Sequence, residues 1–164
     1  MALTVAQAFT DFAAAIKPTE AEEATISGRR TRVEGFLVAK YPSTSNMPLT
    51  HVRSIGSAAR KTLIRPVDDI DVFAVFDASQ VWSSYQNDSK QLLYRVREAL
   101  TGYSVKTVGS RGQAVRLFYS EGPNVDITPA FPVRNFFGQP DGYYVPRGDG
   151  GCGLRLTQRH RSGV

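Results

Sequence analysis

The run Asp68-Asp69-Ile70-Asp71-Val72-Phe73-Ala74-Val75-Phe76 constrains this chain more than any other stretch. Its apolar part is β-branched and aromatic, which predicts a strand over Ile70 to Phe76. Successive side chains of a strand point to opposite faces, so Asp69 and Asp71 share one face while Ile70 and Val72 share the other. Acids at the head of an apolar strand are costly to desolvate unless something pairs with them. Hard oxygen donors on one face suit a divalent cation such as Mg²⁺, which completes its shell from substrate phosphates and water. Asp68 points away from this pair and is a poor ligand candidate.

Two further motifs give the pair a context. Upstream, Gly56-Ser57 ends a predicted strand, Thr50 to Ile55. Glycine brings bare backbone amides, and serine a hydroxyl, close to a phosphate. Downstream, Asp126 stands between Val125 and Ile127, so strand alternation sets it on one face. A phosphate cradle, a metal-holding pair and a later third acid are the equipment for chemistry on a nucleoside triphosphate.

The full pattern, Gly56-Ser57-x-x-Arg60-x-Thr62-x-Ile64-x-Pro66-x-x-Asp69-x-Asp71 followed by Asn124-Val125-Asp126-Ile127-Thr128-Pro129-Ala130-Phe131, resembles the nucleotidyltransferase superfamily typified by DNA polymerase beta. Within it the pattern is most similar to the bacterial cGAS and oligoadenylate-synthetase-like cyclic-oligonucleotide synthases. The resemblance runs from about His51 to His160. It implies an α+β, polymerase-beta-like nucleotidyltransferase core with a mixed, mostly antiparallel sheet flanked by helices. It implies transfer of a nucleoside monophosphate from a triphosphate donor to a hydroxyl acceptor, nucleotide or protein, with pyrophosphate leaving. Two Mg²⁺ ions, or Mn²⁺ in their place, would clamp the attacking and leaving oxygens. Asp69 and Asp71 would hold the metal on the triphosphate, and Asp126 would complete the site for the metal that activates the hydroxyl. Gly56 and Ser57 would hold the β- and γ-phosphates, with Arg60 beside them.

The same resemblance implies a helical domain after the third acid, missing or truncated here, and an aromatic residue, usually tryptophan, where Gly150 to Leu154 stand. Two expectations follow: either the chain is a fragment, or a second chain completes the cleft. Two alternatives stay open: a minimal nucleotidyltransferase that modifies a protein, and a non-catalytic nucleotide- or RNA-binding module.

Composition narrows the setting. A net charge of +5 over 164 residues favours an anionic partner, nucleotide or RNA. The lone Cys152 excludes an internal disulfide framework, and with only His51 and His160 beside it a structural zinc site is improbable. No apolar run approaches the roughly 20 residues of a membrane span. The N-terminus has neither the basic start nor the apolar block of a secretory signal, so a cytoplasmic location is expected.

Residues 1–48 are expected to form two helices packing on a catalytic core at 49–147, with 148–164 a glycine-rich basic tail. The first helix carries Val5, Ala8, Phe9, Phe12, Ala13 and Ile16 and stops before Pro18. Thr19 and Glu22 form a capping box opening the second, which runs to about Lys40. Its Arg29, Arg30 and Arg32 read as a solvated basic face, with nucleic-acid contact as the alternative. Asp88 or Ser89 caps a third helix, with Leu92, Leu93, Val96 and Leu100 on one stripe and Gly102 closing it. Strands are expected at Tyr103–Val108, Gln113–Tyr119 and Val125–Ala130, with Gly109-Ser110-Arg111-Gly112 as a hairpin turn. Tyr143–Pro146 is expected as an edge strand, because of its proline. Arg60, Lys61 and Arg65 are candidates to steer a triphosphate, and Lys106 and Arg116 weaker ones. Trp82, Tyr85, Tyr143 and Tyr144 read as packing residues.

Overall fold

A computed structural model describes residues 4–77, 79, 82–148 and 153–158, with the side chains of residues 140 and 158 left aside. Cys152, His160 and most of the basic tail lie outside the described residues. Helix α1 (Val5–Ile16) and helix α2 (Glu20–Lys40) each begin with a capping box. At the second, Thr19 Oγ1 accepts from the Glu22 amide at 3.3 Å and Glu22 Oε2 accepts from the Thr19 amide at 2.7 Å. These bonds satisfy donors that a helix start leaves open, typically for about 1 kcal/mol. Helix α2 buries Val33 and Leu37, four apart and so on one face. Helix α1 buries no residue.

Seven strands follow among the described residues: β1 (Leu49–Ser54), β2 (Asp69–Phe76), β3 (Thr107–Arg111), β4 (Ala114–Phe118), β5 (Asn124–Arg134), β6 (Pro140–Pro146) and β7 (Leu154–Gln158). A short helix α3 (Gly56–Arg60) joins β1 to the loop before β2. Helices α4 (Trp82–Tyr85) and α5 (Ser89–Ala99) lie between β2 and β3. The sheet order is β1-β2-β5-β4-β3, and β6 continues from the far half of β5 to β7. Only β2 and β5 run parallel; every other pairing is antiparallel. The expected α+β class with a mixed, mostly antiparallel sheet is therefore the observed one.

The period of two decides what faces what. Ile70, Val72, Ala74 and Phe76 of β2, Val115 and Leu117 of β4, and Val125 and Ile127 of β5 are buried in one core with Val33 and Leu37 of α2 and Leu92 and Val96 of α5. Each full-sized aliphatic side chain so buried contributes roughly 1.5–3 kcal/mol. The intervening residues, Asp69, Asp71, Arg116 and Asp126, are driven to the opposite face.

Several boundaries depart from the sequence reading. The predicted strand at Tyr103–Val108 begins only at Thr107: a single 3-10 turn spans Leu100–Gly102, and the Tyr103 and Val105 amides donate to the Leu100 and Tyr103 carbonyls, both at 2.9 Å. Gly109, Ser110 and Arg111 belong to β3, and the Arg111–Ala114 pairing leaves Gly112 and Gln113 as the turn. Strand β5 runs on to Arg134 through two prolines. Pro129 falls between the last residue paired to β4, Ile127, and the first paired to β6, Phe131, where one flank of the strand changes partner. Strand β6 is not an edge: β7 pairs with it from Gly142 to Pro146. Arg29 is not a solvated face residue. It is 7% exposed, donates to the carbonyls of Glu121 and Pro123, and stacks on the Tyr119 ring at 3.9 Å.

Candidate active site

The parallel register sets Asp71 directly opposite Asp126, and the antiparallel register sets Asp126 directly opposite Arg116. Asp69 is one pleat from Asp71 on the same face, opposite Asn124. The three predicted acids thus meet on three consecutive positions of one sheet surface.

Gly56 is what permits this arrangement at the end of β1. Its φ is +64°, a region open to glycine, and a Cβ built on it would lie 2.5 Å from Asp71 Oδ2. The Ile55 amide donates to the Asp71 carbonyl at 3.0 Å, so the start of α3 is tied to the acid-bearing strand. Ser57 is half-buried in the first turn, its carbonyl accepting from the Thr62 amide at 3.0 Å.

Two arginines complete the group. The Arg116 guanidinium is forked on Asp126, with Nε to Oδ1 and Nη2 to Oδ2 both at 2.6 Å. The same Nη2 reaches Asp69 Oδ2 at 2.8 Å. Its side chain is 9% exposed, against 13% for Asp126 and 32% for Asp69. The more exposed Arg111 adds a contact from Nη1 to Asp69 Oδ2 at 3.2 Å. Hydrogen bonding to Asp126 pushes the Arg116 pKa upward, with Asp69 adding to it. Asp71 is left the least compensated acid. Burial raises its pKa, the charges of Asp126 and Asp69 raise it further, and Arg116 and Arg111 only partly offset them.

A cleft of about 810 Å³ opens beside this cluster, bounded by Thr25 and Ile26 of α2, Pro66 to Asp69, Arg111, Arg116 and Asn124. Among the described residues no three carboxylate, imidazole or thiol groups converge closely enough to enclose an ion as they stand. The donor chemistry nonetheless suits a hard divalent cation: three carboxylates share a face, and one of them is held above its ordinary pKa by burial first and by the neighbouring acids second.

Other candidates lie elsewhere. Arg60 ends α3 and is exposed, and it is not among the groups in contact with the acids. Arg65 is engaged with Glu22 at 3.0 Å, tying the loop before β2 to the start of α2. Trp82 and Tyr144 pack on each other at 4.6 Å, and Tyr85 accepts from Arg95 at 2.8 Å. Lys106 is exposed beyond β3, its amide donating to the Phe118 carbonyl at 3.0 Å. Arg116, expected only as a weaker triphosphate candidate, and Arg111, expected in a hairpin turn, are partners of the acids. The available signal was Arg116 itself: a charge inside Ala114-Val115-Arg116-Leu117-Phe118 needs a carboxylate on an adjacent strand.

No curated protein matches the chain. Solved structures do resemble it. The Bradyrhizobium diazoefficiens CD-NTase CdnG in complex with GTP has a TM-score of 0.65 at 18% identity, over 88% of this chain and 40% of that one. E. coli MS115-1 CdnC with ATP gives 0.61 at 22% identity, over 87% and 44%. Elizabethkingia meningoseptica CdnE, a cyclic dinucleotide synthase with GTP and Apcpp, gives 0.59 at 17%, over 80% and 47%. The chain thus spans less than half the length of these relatives, which share its fold. Residues 3–152 match the model of the Second Messenger Oligonucleotide or Dinucleotide Synthetase domain, and the chain belongs to that family.

Proposed function

We propose that this chain carries the transfer site of a nucleotidyltransferase that joins nucleotides into an oligonucleotide or dinucleotide messenger. The carrying observation is the register of β2 and β5, which sets Asp71 opposite Asp126 with Asp69 one pleat away on the same face. The donor is a nucleoside triphosphate, and the acceptor a nucleotide hydroxyl. GTP and ATP accompany the solved relatives, which supports that choice of donor.

In the reaction a new bond forms between the acceptor oxygen and the α-phosphorus, the bond to the leaving pyrophosphate breaks, and the hydroxyl proton departs to solvent. Asp69, Asp71 and Asp126 would hold Mg²⁺, two ions or Mn²⁺ in their place, which supplies charge neutralisation and a lowered pKa for the attacking hydroxyl. Gly56 allows Asp71 its position by leaving the space a Cβ would fill. Arg116 holds Asp126 through its fork before nucleotide binds, and Arg111, paired with Asp69 at 3.2 Å, lines the cleft where phosphate would lie. Ser57 and the amides around Gly56 act as the cradle for the β- and γ-phosphates.

The test is incubation of the chain with all four ribonucleoside triphosphates and Mg²⁺ or Mn²⁺, measuring pyrophosphate release and product masses. Free oligonucleotides that vanish with a folded Asp71→Asn variant are expected. A mass increment on a protein, or release unaffected by that variant, would overturn the reading.

A further inference from the structure

Arg116 occupies the place where the cation of the proposed reaction would act. Its fork takes one lone pair from each oxygen of Asp126, and its Nη2 also holds Asp69, so a single guanidinium spans two of the three acids. The side chain is almost wholly out of solvent and its partner Asp126 nearly so. An arginine is always charged, and a buried ion pair is broken at a high cost unless a new partner replaces the old one. A dication arriving at Asp126 would meet both occupied oxygens and a positive charge at contact distance. The exposed route out for the guanidinium is the cleft it already lines together with Arg111 and Asn124.

We infer that Arg116 is the resident counter-ion of Asp126 and Asp69 and is exchanged for metal when nucleotide binds. This rests on the function proposed above. The swap is balanced in charge: the metal takes the carboxylates, and the triphosphate oxygens take the released guanidinium. Metal alone supplies no anion to receive Arg116, and nucleotide alone supplies no cation for the acids. The two therefore bind cooperatively, and Arg116 is the positioning residue that couples them.

The experiment is Mn²⁺ titration of the chain followed by the paramagnetic signal of free Mn²⁺, with and without a non-hydrolysable ATP or GTP analogue, the Mn²⁺ taken up by the analogue alone being measured in a protein-free titration and subtracted. Wild type is compared with Arg116→Gln and Arg116→Lys, with folding checked by circular dichroism. Without nucleotide, Arg116→Gln is expected to bind Mn²⁺ at least 10-fold more tightly than wild type, and the gain that the analogue confers should shrink by the same factor. Arg116→Lys keeps the charge but loses the fork, so its gain should be about 3-fold; this arm decides the matter if Arg116→Gln does not fold. Unchanged or weaker Mn²⁺ binding in the folded variants, with wild type binding Mn²⁺ in the presence of analogue, would overturn the exchange alone. No Mn²⁺ binding by any protein, even with analogue, would remove the metal site and the proposed function with it.

Discussion

Replacing Gly56 by alanine tests the geometry that brings α3 against the acid-bearing strand. The added Cβ would lie 2.5 Å from Asp71 Oδ2 and 3.4 Å from its Cβ and Cγ, and the residue sits at φ +64°. Holding an L-residue in the left-handed region costs about 1 kcal/mol or somewhat more. Forcing an extra methyl into a filled site costs roughly 1–3 kcal/mol. Together these predict a loss of about 2–4 kcal/mol, which in a chain of this length lowers the thermal midpoint by roughly 5–15 °C. The alternative relief is rotation of the Asp71 carboxylate away from the new methyl. That saves stability but displaces the acid, and an ångström of misplacement at a reacting centre is worth about 100-fold in rate. Thermal unfolding by circular dichroism and metal-dependent nucleotide binding read the two outcomes. Gly28→Ala and Gly35→Ala in α2 serve as controls, since a Cβ at either meets nothing within 4 Å. Each should be stabilising by about 0.5–1 kcal/mol. A Gly56→Ala protein with an unchanged midpoint and unchanged nucleotide binding would mean that α3 does not press on Asp71 in this way.

Three further outcomes follow from the same structure. The folded pKa of Asp71 is raised, so the native state holds a proton more readily than the unfolded chain, and stability is lost as pH rises through that raised value. Asp71→Asn should therefore unfold at a higher temperature than wild type at pH 7 without metal, with the difference closing towards pH 4; a lower midpoint at pH 7 would contradict this. Arg29→Met leaves the carbonyls of Glu121 and Pro123 without their donor and should cost about 3 kcal/mol, read as a lower urea midpoint. Thr19→Ala removes the capping box of α2 and should cost about 1 kcal/mol by the same measurement, with nucleotide binding unaffected.

Much of this arrangement was legible because it rests on short-range rules. The capping box at Thr19 and Glu22, the Asp88 cap and the alternation Ile70-Asp71-Val72 each follow from local chemistry, and α2, α5 and β2 appear where those signals predict. The shared face of the acids was legible for the same reason. What the sequence hid depends on register. Arg111 and Arg116 reach the acids only because the β3–β4 turn falls at Gly112 and Gln113 and β4 pairs Arg116 with Asp126. A slip of one residue would have turned both arginines to the core face, and turn composition alone did not fix the register. The role of Arg29 is hidden in the sequence because its partners are backbone carbonyls more than 90 residues away. Strand β7 escaped notice because Leu154 to Gln158 follows a glycine cluster, which reads as loop.

On the proposal made above, the face shared by Asp69, Asp71 and Asp126 binds nucleotide through metal. Calorimetric titration with a non-hydrolysable ATP or GTP analogue, with and without Mg²⁺, tests it most directly, beside the Asp69→Asn/Asp71→Asn double variant. Binding about 10-fold or more tighter with Mg²⁺ is expected, with none detectable in the folded double variant. Binding that ignores Mg²⁺, or that survives loss of both acids, would contradict it.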